Sequence, residues 1–352
     1  MHTCSQQLFG GFRRRGTTTM VASTWCSMGE RAADRLIGAA FGREVKRALA
    51  GAAIGAWFIL NGGRMLAADS FSVATYNLDN YLDTTAQNRS VKSTAGRAKI
   101  RESIRAINPD LLALQEVGSL DALGELRASL KSEGLDYPFW EWVSGSDTNI
   151  HVVVLSRYPI AACRPHTNEN YLLGGRRFHV SRGFAEVDIR IPPRYAITLL
   201  AAHLKSRRVV PEADEAAMRE QEALLLREIV DARLRANPNV NLIVLGDFND
   251  SPAAKSTRTI KGRGKTALVD TRPAERNGDD QANPIPYLPP RNVTWTHYFG
   301  KEDTYSRIDY IMVSPGMARE WSRKDSYVLA QPNWGIGSDH RPIVARFLAE
   351  DR

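Results

Sequence analysis

Eight polar side chains stand at or beside the ends of apolar runs, and together they are the groups that cation binding and proton transfer require. Phe71–Thr75 leads into Tyr76-Asn77-Leu78-Asp79, and Leu111–Leu114 leads into Gln115-Glu116. Ala196–Ala202 ends in His203-Leu204-Lys205-Ser206, and Val240–Leu245 in Gly246-Asp247-Phe248-Asn249-Asp250. Asp309 lies in Arg307-Ile308-Asp309-Tyr310; Asp339 and His340 lie in Gly337-Ser338-Asp339-His340-Arg341-Pro342. The oxygen-rich set Asn77, Glu116, Asp247, Asn249, Asp309 and Asp339 suits Mg²⁺, Mn²⁺ or Ca²⁺, whereas zinc draws more His and Cys. His203 and His340 complete the inventory.

Each group also has an ordinary reading. Asp247-Phe248-Asn249 is a plausible turn, because Asp and Asn bond their own backbone two residues on. Glu116 would serve as the polar exit of a buried strand, His203 as a core histidine, and Asp339-His340 as a loop before the last strand. The ordinary readings do not explain the repetition at successive strand ends. Polar groups delivered to one sheet edge converge on a single crevice, which is how open α/β sheets build sites.

The positioning elements are legible as runs. Phe71–Thr75, Leu111–Leu114, Val152–Leu155, Ala196–Ala201, Val240–Leu245, Ile308–Val313 and Ile343–Phe347 are short, apolar and bounded by polar residues, as buried strands are. Between them, Ala95–Ile107 carries Ala98, Ile100, Ile104 and Ile107 near one helical face and is stopped by Asn108-Pro109. Pro211–Arg235 is the longest predicted helix. Around Phe178–Ile191 strands follow one another directly, which favours a mixed-sheet sandwich over a doubly wound parallel sheet. There is no internal repeat, and residues 271–294 read as one long Pro- and Asn-rich loop.

The first 68 residues differ from the rest. Arg43, Lys46 and Arg47 precede the apolar run Ala48–Leu60 and the small-residue stretch Leu66-Ala67-Ala68, the layout of a secretory signal peptide. The run is shorter than the roughly 20 apolar residues that span a bilayer. A retained N-terminal anchor and an Ala-rich core helix are the alternatives. The expected organisation is a leader over 1–68 and one catalytic domain over 69–352, with a secreted or periplasmic location. The whole chain of 352 residues has a net charge of +8, but the part after residue 68 holds 38 basic and 36 acidic residues, a net of +2. Overall charge therefore says little about a polyanionic partner. Of the three cysteines only Cys163 lies beyond the leader, so an exported form has no internal disulfide.

The segments ATYNLDN, LALQEV, LSRYPI, AAHLKSR, LGDFNDSP, RIDYIMVS and GSDHRPI resemble, in order, the motifs of the endonuclease/exonuclease/phosphatase superfamily. This is the group of pancreatic-type deoxyribonucleases, exonuclease III-like endonucleases, inositol-polyphosphate 5-phosphatases and neutral sphingomyelinases. The match runs from about residue 71 to 347. It implies a four-layer α/β sandwich, with two mixed β-sheets between helices, and divalent-metal-dependent phosphoester hydrolysis, with Mg²⁺ the expected ion and Mn²⁺ or Ca²⁺ alternatives. By that resemblance Glu116 is the principal metal ligand, with Asn77, Asp309 and Asp339 nearby. Asp247 positions or deprotonates the attacking water, and Asn249 holds a phosphate oxygen. His340, paired with Asp309, stands near the scissile phosphate; whether it or Asp247 is the base stays open. His203 is a donor to the phosphate or leaving group, and Asp79 and Arg182 are further substrate contacts. Such a set is what phosphodiester hydrolysis requires: positive charge on the phosphorane oxygens and a deprotonated nucleophile.

Substrate class is less legible. Lys205, Arg207 and Arg208 put positive charge beside His203. Lys255, Arg258, Lys261, Arg263 and Lys265 form an acid-free stretch that reads equally as a nucleic-acid backbone contact or a solvated loop. Tyr137–Trp142 (YPFWEW) reads as core packing rather than a membrane-insertion patch. With an export leader, the expected enzyme is a nuclease acting on DNA or RNA. The alternative is a phosphodiesterase of lipid or inositol phosphates, and no obligate protein partner is indicated.

Overall fold

The computed structural model describes residues 70–86, 89–278, 284–285 and 292–352. The expected leader lies outside the described residues, and with it both the signal-peptide and the anchor reading. Among the described residues no helix is long and apolar enough to cross a membrane.

The first half of the chain forms β1 (Ser70–Tyr81), α1 (Thr94–Ile107), β2 (Leu111–Val117), α2 (Leu120–Ser132), β3 (Phe139–Val143), β4 (His151–Ser156) and β5 (Ile160–His166). A hairpin follows, β6 (Asn170–Leu173) with β7 (Arg176–His179), and then β8 (Phe184–Ile191) and β9 (Tyr195–His203). The second half forms α3 (Glu215–Ala236), β10 (Leu242–Asp247), α4 (Lys255–Lys261), β11 (Val269–Asp270) and β12 (Ala274–Glu275). Last come a second hairpin, β13 (His297–Phe299) with β14 (Thr304–Ser306), and β15 (Asp309–Val313), β16 (Trp321–Val328) and β17 (Ile343–Leu348).

Two large sheets result, ordered β12-β16-β17-β1-β2-β4-β3 and β11-β15-β10-β9-β8-β5. Both are mixed: β1 is parallel to β2 and antiparallel to β17, and β10 is parallel to β9 and antiparallel to β15. Alternate side chains divide between the faces, as the two-residue period of a strand requires. Val73, Ala113 and Val154 of the first sheet meet Val187, Leu199, Ile243 and Ile311 of the second in the central core. On the outer faces, Ala74, Leu112 and Leu114 receive Ile100 and Ile104 of α1 and Leu123 and Leu126 of α2. Leu200, Val244 and Met312 receive Leu226 and Val230 of α3 and Ile260 of α4. Strands buried on both faces read as continuous apolar runs, which is why they were legible. The expected four-layer α/β sandwich is the observed one.

Local signals account for the helix ends. Ser93 caps α1 by accepting from the Gly96 amide, and Asn108 ends it with φ of 45°. Asp214 caps α3, so this helix starts four residues after the predicted Pro211. The acid-free basic stretch is only partly a loop: residues 255–261 form α4, with Ser256, Thr257 and Ile260 buried and Lys255 bonded to Glu220, while all five basic residues, Arg263 and Lys265 included, are exposed. Tyr137 is in the core and donates to the Pro109 carbonyl at 2.8 Å, as core packing of YPFWEW anticipates. Of the long 271–294 segment, residues 279–283 and 286–291 lie outside the described residues, and its described start includes the two-residue strand β12.

Gly246, the penultimate residue of β10, lets the strand run close against β9 just before Asp247. It has φ of 133°, and a Cβ there would stand 1.9 Å from the Ala202 carbonyl oxygen of β9. Gly246→Ala is therefore expected to lower the thermal midpoint strongly, because backbone rather than a flexible side chain must yield. An unchanged melting curve would refute that account.

Candidate active site

The polar strand ends meet in one cleft, but not at one sheet edge as the sequence suggested. They come from both sheets and face each other across the open end of the sandwich. In the first sheet Asn77 of β1 is in register with Gln115, immediately before Glu116 of β2. In the second, Asp247 of β10 is in register with His203 of β9 on one side and Asp309 of β15 on the other. Three groups of complementary chemistry therefore stand abreast on neighbouring strands. The Asn77 amide spans the two sheets, donating to Asp247 Oδ2 at 3.0 Å while lying 3.4 Å from Glu116 Oε1.

Hydrogen bonds hold each side chain in place. Asp247 Oδ1 accepts the Asn249 backbone N–H at 2.8 Å, and the Asn249 amide donates to Asp247 Oδ2 at 3.2 Å. His340 Nδ1 lies 2.9 Å from Asp309 Oδ2, the contact expected of a base and its orienting carboxylate. His340 Nε2 lies 3.8 Å from both Asp247 Oδ2 and Asp339 Oδ1. His203 Nε2 is 3.5 Å from Asp247 and 3.8 Å from Glu116. Glu116 accepts the Asn80 backbone N–H at 2.9 Å.

Four residues lining the cleft, Asp79, Asn80, Glu116 and Asn249, have positive φ. This conformation is unfavourable for side-chain-bearing residues, above all for Glu, and such strain concentrates where function over-determines geometry. The packed strands and the hydrogen bonds on either side hold it.

Burial dominates the electrostatics. It pushes Glu116 up from the usual carboxylate range, and Asp247 up to about 7, with the neighbouring Asp309 charge adding to the rise. Burial also disfavours the His340 imidazolium, but Asp309 and Asp247 outweigh it and hold His340 well above its ordinary value. His203 is driven the other way by burial and by Arg182, so it is neutral at physiological pH. The two histidines thus have opposite charge states, imposed by different neighbours.

The remaining expected residues divide. Asp339 is half-exposed beside His340, and its Oδ2 lies 3.5 Å from His297 Nε2. Asp79 holds the Lys92 ammonium at 3.2 Å. Arg182 is buried, donates to the Leu204 carbonyl at 3.3 Å and has an Nε without a hydrogen-bond partner. Its charge is felt by both Glu116 and His203, which places it at the cleft wall. Lys205 is the outlier: its ammonium bonds the Ser206 and Arg208 carbonyls and so folds back on its own loop.

Three contributors were missed in the sequence. His297 of β13 sits with its ring 4.6 Å from that of His340. Thr296 Oγ1 accepts the backbone N–H of Ile308 and Asp309, fixing the carboxylate that orients His340. Glu222 of α3, fully buried, accepts from the Ser181 and Lys205 amides and so secures the loops carrying Arg182 and His203. Only His297 had a readable signal, a histidine ten residues before RIDY; the other two look like ordinary helix or loop residues.

The donor set suits a hard divalent cation. Asp247, Asp309 and His340 offer atoms within 4.8 Å of one another, as do His297, Asp339 and His340. Asp309 Oδ1 is buried with no hydrogen-bond partner. A buried carboxylate oxygen left unpaired, beside carboxylates raised by burial, is the environment a cation neutralises. Glu116 stands outside both groups, across the cleft with Asn77.

Structural comparison finds the same fold in an endonuclease/exonuclease/phosphatase from Bacteroides vulgatus (TM-score 0.56, 17% identity, 80% of this chain and 99% of that one). It also finds the 3′ phosphatase NExo from Neisseria, bound to product DNA hairpin (0.51, 18%, 79% and 99%). A third is sphingomyelinase C from Streptomyces griseocarneus (0.50, 17%, 79% and 99%). No curated protein sequence matches the chain. The model of the Endonuclease/Exonuclease/phosphatase family matches residues 74–340, nearly the whole described domain and every residue of the cleft. With these motifs converging as they do, the chain belongs to the endonuclease/exonuclease/phosphatase family.

Proposed function

We propose that the protein is a divalent-metal-dependent phosphodiesterase acting on nucleic acid, and that the segment before residue 69 directs its export. The observation that carries the catalytic reading is the row His203–Asp247–Asp309 on adjacent strands, completed by His340 on Asp309. In this reading Asp247, near 7, takes the proton of the attacking water. His340, held cationic by Asp309, faces the phosphate and offsets the charge that develops there. Neutral His203 and Arg182, whose Nε has no hydrogen-bond partner, offer donors to the non-bridging oxygens, and Asn249 holds Asp247 in place. Glu116 and Asn77 on one side, with Asp309 and Asp339 on the other, would hold the cation, Mg²⁺ by preference. A bound cation supplies positive charge to the phosphate as phosphorus becomes pentacoordinate.

Nucleic acid is favoured by the surface beside the cleft. Arg176 and Arg177 of the β6–β7 hairpin and Arg207 and Arg208 of the next loop are exposed, and Arg207 bonds the Asn249 carbonyl at 3.0 Å. Exposed arginines, one of them on the Asn249 carbonyl, suit a polyanion backbone. The Neisseria neighbour, a 3′ phosphatase, holds a DNA hairpin; the Streptomyces neighbour is a sphingomyelinase. The test is hydrolysis of plasmid DNA, RNA and sphingomyelin vesicles with Mg²⁺ and with EDTA. Mg²⁺-dependent cleavage of DNA or RNA is the expected result. Lipid cleavage without nucleic-acid cleavage would overturn the substrate, and full activity in EDTA would overturn the metal.

A further inference from the structure

The segments beside Asp339 and His340 carry a group of packed aromatic rings. Trp295 lies 4.8 Å from Tyr305 and 5.6 Å from Trp334, and Tyr298 lies 4.8 Å from Tyr305, measured between ring centroids. The Arg341 guanidinium covers Trp295 at 3.3 Å, which fixes the inner end of this row. At its outer end Tyr298, Phe299, Lys301, Asn333 and Trp334 line a depression of about 650 Å³ that ends on Asp339. That volume is in the range of small-ligand sites. Asp339 belongs both to this depression and to the group around His340, so an occupant lies beside that group.

We infer that this depression receives a nucleobase of the substrate, stacked on the Phe299 and Trp334 side chains, next to the phosphate being cut. The inference rests on the nucleic-acid reading above and adds a specificity-determining subsite to it. Planar rings held by packing bind a base face with little loss of side-chain entropy, and any base provides such a face. Lys301 and Asn333 at the rim supply donors for the edge of the base. A lipid surface fits the same wall poorly. The tip of the β13–β14 hairpin is Gly300-Lys301-Glu302-Asp303, and a charged, net acidic tip does not enter a bilayer or favour an anionic one.

The test uses the full chain and two oligonucleotides, one with all its bases and one with tetrahydrofuran residues in place of the nucleotides flanking the cleavage site. Phe299, 38% exposed, is changed to Ala without opening the core, and Trp334→Ala is made beside it. Each variant is expected to raise KM for the base-bearing strand roughly tenfold, while the abasic strand, already poor with the parent, changes by less than about twofold. Equal losses on both strands, or none on either, would overturn the subsite while leaving nuclease activity established. Cleavage of sphingomyelin vesicles but of neither oligonucleotide would overturn both readings. Loss of vesicle binding in Phe299→Ala would then assign the wall to membrane contact instead.

Discussion

His340→Ala is expected to lower kcat by roughly 10²–10³-fold, the range for removal of one preorganised group that stabilises developing charge. Asp309→Asn tests the assignment more sharply because it leaves the imidazole in place. His340 owes its raised value to Asp309 and Asp247, and a carboxylate stabilises the imidazolium, so neutralising Asp309 lowers it. If the cationic form is the active one, activity falls as pH rises through the value of His340. That alkaline limb therefore moves to lower pH in Asp309→Asn, by more than about one unit. The acid limb, set by Asp247 near 7, moves less. An alkaline limb unmoved in Asp309→Asn would show that His340 is not the titrating cation. The same pair contributes stability that is fully present below the ordinary histidine value near 6.5 and is lost as pH rises through the folded value.

Asp247→Asn should abolish detectable turnover and, in metal-free buffer, stabilise the fold. The carboxyl is buried and shifted to about 7, well above its unfolded value near 4. The sign follows: above pH 7 the folded chain holds a buried charge that the unfolded chain hydrates freely. Between about pH 4 and 7 the unfolded form gains stability by about 1.4 kcal/mol per unit as pH rises. The variant lacks this penalty, so its advantage in melting temperature grows from pH 4 to 7 and then levels off. Saturating Mg²⁺ should shrink the advantage, because a cation in the cleft compensates the same charge. A variant less stable than the parent across that range would refute the account of Asp247 as a strained, functional carboxylate. Stability given up at a catalytic group is a common trade.

The legible part of this protein shares one property: its meaning is local. Val240–Leu245 reads as a strand because both faces of β10 are buried, and its polar end follows from the short motif GDFND. Two helices were missed for the converse reason. Leu120–Ser132 is a moderate helix former between two strong strands, and Lys255–Lys261 is dominated by charge although Ile260 anchors it in the core. The basic stretch was therefore legible as charge but not as α4.

The sequence by itself determined the family, the alternation of buried strands with polar ends and the residue types of the site, because these depend on short motifs and strand periodicity. Only the tertiary structure decided which groups share an environment. Asn77 and Asp247 lie 170 positions apart and meet because two sheets stack. His203 is neutral because it is buried beside Arg182, and His340, equally buried, is cationic because Asp309 and Asp247 flank it, a difference that no local pattern encodes. The folding back of Lys205, the entry of His297 and the aromatic wall beyond Asp339 arise likewise from packing between distant segments. Charge state and proximity are properties of a shared, desolvated space, and that space exists only once the sandwich has closed.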